Sequence, residues 1–243
     1  MATPVDPKTA EISRRLIARY GRYDESRGKP FDVLIMTILS QNTTDRNSLR
    51  AFANLYEVYH TPEQLASAPE SAIADLIRIG GLHEQKAKLI KNISQLVIDE
   101  YDGTLDFVCE TDPEVARKEL LTIKGVGPKT ADCVLLFSCD RDVIPVDTHV
   151  FRITKRLGIV PEKADHEKAR QILMEKVPEG LRGSTHVALI KFGREICKAQ
   201  NPRHDQCFLL DLCDYARQVG TARGPECGRT ECDSVHSHRD KGL

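Results

Sequence analysis

The sequence predicts an all-α fold. Apolar residues recur at helical spacing from end to end, and no segment alternates apolar and polar for long enough to suggest a sheet. Where the signals are strongest, prolines and capping residues stand at the helix starts, as at Thr111, Asp112, Pro113 and Pro128.

Taken in order, helices are expected over 12–20, 31–39, 48–56, 62–68, 71–79 and 84–100. The stretch 33–39 is the longest apolar run, interrupted only by Thr37; it is too short to span a membrane and reads as a core helix. Thr111 or Asp112 can cap the next helix, Pro113 suits its first turn, and Val115, Leu120, Leu121 and Ile123 supply its apolar positions. Gly125 and Gly127 break it, because glycine permits backbone angles and close approaches that a side chain prevents. Pro128 then opens a helix with an apolar stripe of Ala131, Val134, Leu135 and Phe137. Further helices are expected over 148–157, capped by Asp147, and over 165–177.

Length and composition bound the rest. The 243 residues suffice for two small domains or one large one. With 40% apolar residues, no membrane-length segment and no evident targeting signal, a cytoplasmic protein is expected, nucleoid-associated in a prokaryote. The formal net charge of −1 argues against a broadly basic surface. Local cations gather instead in or near two segments: Lys124, Lys129, Arg152, Lys155, Arg156, Arg182, Lys191, Arg194, Lys198 and Arg203.

The glycine turn carries the clearest chemistry. Free N–H groups at a helix start attract an anion, and a DNA phosphate is the natural candidate. Lys129 lies in that first turn, where the helix dipole disfavours an ammonium and favours the neutral amine that attacks electrophiles. Asp147 follows 18 residues later. Taken singly, these features are a turn, a solvated lysine and a helix cap; their order and spacing together give them meaning.

The segments IKGVGPKTA and VDTHVFR resemble the paired motifs L-x-G-V-G-x-K-T-A and V-D-T-H-x-x-R of the helix-hairpin-helix DNA glycosylases, most closely the endonuclease III branch. PFDVLIMTILSQNTTD is similar to that family's base-pocket helix, and GGLHEQKAKLI to the segment whose leucine wedges into the duplex. The resemblance runs from about residue 30 to 215. It implies two helical lobes with a DNA cleft between them: residues 30–142 with the helix-hairpin-helix, and 1–29 joined to 143–215 with a metal-cluster loop. Residues 216–243 read as a flexible tail.

The same resemblance implies a base-excision-repair glycosylase with abasic-site lyase activity on oxidised pyrimidines in double-stranded DNA, acting as a monomer. Lys129 takes the position of the nucleophile and Asp147 that of the essential aspartate; Lys124, Gly125, Gly127 and Thr130 belong to the DNA-gripping turn. Leu82 takes the wedge position. Gln41 and Asn42 share the role of filling the gap left by a flipped base, because Ser40–Asp45 departs from the family's S-A-Q-A-T-D and puts Asn42 in the glutamine column. A mismatch thymine or uracil glycosylase and a non-catalytic binding module are the alternatives.

Eight cysteines without a secretory signal do not read as a disulfide scaffold, and Cys109, Cys133 and Cys139, in or beside apolar runs, are expected as core thiols. In the endonuclease III family a C-x6-C-x2-C-x5-C run binds a 4Fe–4S cluster; here Cys197, His204, Cys207 and Cys213 occupy that spacing. Three readings stay open. His204 ligates beside three thiolates, or Cys227 or Cys232 supplies the missing thiolate, or the cluster is absent and the site is empty or holds zinc. The cluster's role would be structural, fixing a loop that carries Lys198 and Arg203 toward phosphates.

Overall fold

A computed structural model of the chain describes residues 6–23 and 28–220, and every regular element among them is helical. The α-helices are α1 (Pro7–Tyr20), α2 (Pro30–Ser40), α3 (Asp45–Val58), α4 (Pro62–Ser67), α5 (Glu70–Ile77), α6 (His83–Tyr101), α7 (Phe107–Glu110), α8 (Pro113–Thr122), α9 (Pro128–Cys139), α10 (Thr148–Arg156), α11 (His166–Lys176), α12 (Arg182–Glu195) and α13 (Asp214–Gln218). Short 3-10 turns cover Arg78–Gly80, His204–Gln206 and Leu210–Leu212. Among the described residues no helix is long and apolar enough to cross a membrane.

Local chemistry sets the helix starts. Prolines, which give up no useful N–H there, open α1, α2, α4, α8 and α9. Side chains of Asp6, Thr44, Thr61, Asp112, Asp147 and Asp165 accept from the first free amides of α1, α3, α4, α8, α10 and α11. Between Thr111 and Asp112, the aspartate is therefore the cap of α8.

Buried side chains form two clusters. The first runs from Phe31 to Val143; the second joins Ile12 and Leu16 of α1 to residues between Ile144 and Ala216. Helix α2 is the heart of the first, packed on α3 and α9, with Leu34, Ile35, Ile38 and Leu39 wholly buried. Each such side chain stabilises the fold by about 1.5–3 kcal/mol. In the second, α12 packs on both α1 and α10.

A buried charge network ties the two clusters. Asp132 of α9 accepts from Arg117 Nε of α8 at 2.9 Å and from Arg170 Nε of α11 at 2.9 and 3.0 Å. Each guanidinium reaches a second carboxylate, Glu167 and Glu114 respectively, at 2.8 Å. Burial pushes the Asp132 carboxyl up to about 6, against the pull of Arg170 and Arg117.

Two expectations need correction, and one helix was not expected. Cys109 and Cys139 are not core thiols: they form a disulfide, with Cα atoms 5.2 Å apart. Helix α7 packs on α9, which brings the two cysteines together at the ends of those helices. Arg141 adds hydrogen bonds to the Cys109 and Thr111 carbonyls. Cys133 is the buried thiol. Residues 216–218 are not tail but the end of α13; Cys227 and Cys232 lie outside the described residues. Helix α12 carried no clear sequence signal, since Gly183, Ser184, Thr185 and Gly193 are poor helix formers. Packing requires both glycines. A Cβ at Gly183 would lie 2.5 Å from Leu136, and one at Gly193 would lie 2.6 Å from His149.

Candidate active site

The turn between α8 and α9 is closed by the Val126 N–H donating to the Ile123 carbonyl at 2.9 Å. Gly125 holds φ +94°, and a Cβ there would collide with Leu89 of α6, so glycine is required twice over. At Gly127 a Cβ would meet nothing within 4 Å, which leaves the backbone open for close approach. Helix α9 has no side-chain cap, and its first internal bond is Ala131 N–H to Gly127 O, at 2.9 Å. The amides of Lys129 and Thr130 therefore have no helical partner, the arrangement that holds a phosphate. The Thr130 side chain is buried, so it offers its amide rather than its hydroxyl; Lys124 is exposed on the turn.

Lys129 is half-buried one turn before Cys133 on the same helix. Burial pushes the Cys133 thiol up to about 11; the adjacent Lys129 opposes this, and the charges of Asp132 and Asp147 add to it. The charges of Lys129 and Asp147 thus both bear on the Cys133 thiol, in opposite senses. The sequence marks Cys133 only as a core residue. Asp147 is half-buried at the start of α10, where Oδ1 accepts from the Val150 N–H at 2.7 Å. The segment leading to it is buried, and His186 Nδ1 lies 2.8 Å from the Pro145 carbonyl.

Two exposed turns lie on the first cluster. Leu82, 47% exposed, stands in a left-handed conformation at φ 51°, directly ahead of α6. Asn42, also exposed, holds φ 54° just beyond α2, while Gln41 is half-buried with extended backbone. Asparagine tolerates left-handed angles far better than glutamine, a local reason for Asn at 42.

The cysteine loop is held by polar ties. Arg156 donates to the carbonyls of Lys198 at 2.7 Å and Ala199 at 2.9 Å, and Arg152 to that of Cys197 at 3.0 Å. Cys197, His204, Cys207 and Cys213 all line one cavity, walled by apolar side chains including Ile153, Phe192 and Leu210. Burial pushes the Cys207 thiol up to about 11 and raises that of Cys213, so binding a metal there would release protons. Three sulfurs and an imidazole around one enclosed space fit an iron–sulfur cluster as a donor set. Among the described residues, no three His, Cys, Asp or Glu side chains already converge on a single-ion position.

Residues 35–179 match the HhH-GPD superfamily of base excision DNA repair proteins, and residues 197–213 match the iron–sulfur binding domain of endonuclease III. The chain is 39% identical to endonuclease III of Thermotoga maritima over 221 residues, 91% of this chain and 98% of that one. The chain belongs to the endonuclease III family. Its Escherichia coli member is 33% identical over 190 residues, 78% of this chain and 86% of that relative. A solved structure of a trapped covalent intermediate between endonuclease III and DNA superposes with a TM-score of 0.77 at 31% identity, covering 86% of this chain and 96% of that one.

Within this endonuclease III-family chain, most of the cations noted in the sequence have internal partners. Arg152 and Arg156 hold the cysteine loop, Arg182 bonds Asp142 and the Met174 carbonyl, and Arg194 pairs with Asp45 at 2.6 and 2.8 Å. Lys155 reaches the Glu162 carbonyl and the face of Phe151. Arg203 is exposed and Lys198 half-buried on the cysteine loop.

Proposed function

We propose that this chain is a monomeric bifunctional glycosylase and abasic-site lyase acting on oxidised pyrimidines in duplex DNA. The observation that carries the reading is the start of α9, which no side chain caps, whose Lys129 and Thr130 amides are open to a phosphate and which carries Lys129 itself. The duplex is received between a lobe of residues 30–142 and one of residues 1–29 with 143–215, a division supported by the two buried clusters.

In this mechanism the damaged nucleotide leaves the stack, with Leu82 and the Gln41–Asn42 turn filling the vacated space. The amides of Lys129 and Thr130 fix the phosphate. The Lys129 amine forms a bond to C1′ as the glycosidic bond breaks and the base leaves with its electron pair. Asp147 stabilises positive charge on the sugar and takes the proton that Lys129 releases; its hydrogen bond from the Val150 amide fixes its orientation. The opened sugar is then a Schiff base on Lys129. Loss of the C2′ proton and departure of the 3′ phosphate nick the strand, and water releases the enzyme.

Cys197, His204, Cys207 and Cys213 would hold the 4Fe–4S cluster, whose contribution would be structural, fixing the loop that carries Lys198 and Arg203 toward phosphates. Freshly purified protein should show a broad visible band; a colourless protein containing zinc would replace the cluster in this reading. The substrate is tested with duplexes carrying thymine glycol, uracil or a guanine–thymine mismatch. Preferential nicking at thymine glycol is expected. Release of mismatched thymine or uracil without nicking would favour the mismatch glycosylase.

A further inference from the structure

Lys86 is a buried lysine that the hairpin chemistry does not use. It is 4% exposed, and its ammonium donates to the Leu39 carbonyl at 2.9 Å and to the Gly80 carbonyl at 3.1 Å. Burial pushes its pKa down. The position is costly for a cation, which loses water and stands near the positive end of α6. An apolar side chain would fill the space without that cost. What an apolar side chain cannot do is bridge two backbone carbonyls from different elements.

Those carbonyls are informative. Leu39 lies in the last turn of α2, two residues before Gln41 and three before Asn42. Gly80 ends the 3-10 turn two residues before Leu82. Both exposed turns hold a non-glycine residue in left-handed backbone, Asn42 at φ 54° and Leu82 at φ 51°. For leucine this conformation is unfavourable and persists only where the surroundings impose it. The Leu82 carbonyl itself accepts the first backbone bond of α6, from the Lys86 amide at 2.9 Å, so the Lys86 side chain adds its ties to a turn already joined to that helix.

We propose that Lys86 is a positioning residue that locks the Leu82 wedge and the Gln41–Asn42 turn into one preset unit, so that both enter the duplex together when a nucleotide is flipped. The inference rests on the glycosylase reading above. Its consequence is selective. Single-stranded abasic DNA needs no wedge, whereas a duplex does.

The test compares wild type with Lys86→Met on the same abasic oligonucleotide, single-stranded and paired, with 2-aminopurine opposite the abasic site. Rates are normalised to folded protein. Lys86→Met should trap single-stranded abasic DNA with borohydride within about twofold of wild type. On the duplex it should lose roughly 10- to 100-fold in rate, together with the 2-aminopurine fluorescence rise that reports wedge entry. Adding Leu82→Ala to Lys86→Met should then cost little more, because the two act on one step. Lys86→Arg, which keeps donors for both carbonyls, should recover part of the duplex rate. If Lys86→Met does not accumulate, Lys86→Gln is read by the same ratio. Equal losses on both substrates, or a wild-type duplex rate and fluorescence rise, would overturn the proposal. A wild-type enzyme that traps neither substrate would instead refute the lyase reading beneath it.

Discussion

The glycine turn and the cysteine loop both carry endonuclease III motifs, but they are held by different means. The turn lies between two helices whose apolar faces belong to a packed core, and Leu89 leaves no room for a side chain at Gly125, which holds φ +94°. The loop of residues 197–213 contains only short 3-10 turns and hangs on hydrogen bonds from Arg152 and Arg156 around a cavity ringed by metal-type donors. The catalytic end is thus organised before any ligand arrives, while the loop has a place for a ligand to complete it. A histidine at 204 in place of the family's cysteine falls in the second setting. An altered residue at the turn would move Lys129 itself.

The comparison breaks first at Asp147. Asparagine caps a helix as well as aspartate, so Asp147→Asn should keep the bond from the Val150 amide and leave stability within about 1 kcal/mol. Nicking should fall by about 10²–10⁴-fold, read as single-turnover rates on a thymine glycol duplex. If stability and activity fell together, Asp147 would be a cap and nothing more.

Next comes the charge network that joins the two clusters. Asp132→Asn leaves Arg117 and Arg170 buried opposite an amide and should cost about 3–5 kcal/mol in denaturant unfolding. The pH dependence has a defined sign. Burial raises the Asp132 carboxyl from 3.8 to about 6, so the folded protein gains a proton that the unfolded chain lacks in that window. The group's contribution is greatest below about 4 and diminishes as pH rises through 6. The stability gap between wild type and Asp132→Asn should therefore widen as pH falls from 6 toward 4; a flat gap would show that Asp132 does not titrate there.

A smaller effect is expected at the Cys109–Cys139 disulfide, which closes 30 residues of chain at the far end of α9. Cys109→Ser should lower stability by about 2–4 kcal/mol, seen as a lower thermal midpoint that reductant no longer changes. The visible band of the cysteine loop should be unaffected, which separates the two thiol chemistries. The smallest effect is set at His204. His204→Cys completes the thiolate set and should slow chelator bleaching of the visible band by roughly tenfold or less, with little change in nicking rate.

What could be read from the sequence was mostly local. Asp112 and Asp147 cap the helices they precede, and prolines mark helix starts, because those effects act within one turn of chain. The turn glycines were legible for the same reason. Contacts between distant segments were not. Lys86 falls in an amphipathic run where a lysine normally meets solvent, and only the fold brings Leu39 and Gly80 over it. Asp132 meets partners 15 and 38 residues away. The pairing of Cys109 with Cys139 depends on how α7 meets α9, and the glycines of α12 make sense only beside Leu136 and His149, which leave no room there for a Cβ.

The central claim is that Lys129 is the nucleophile at the open helix start. The direct measurement is borohydride reduction of the wild-type enzyme on an abasic duplex, followed by proteolysis and mass spectrometry of the cross-linked peptide, with Lys129→Gln run alongside. The adduct should map to Lys129, and Lys129→Gln should form at least a thousandfold less, roughly. An adduct on another lysine, or equal trapping by Lys129→Gln, would contradict the account.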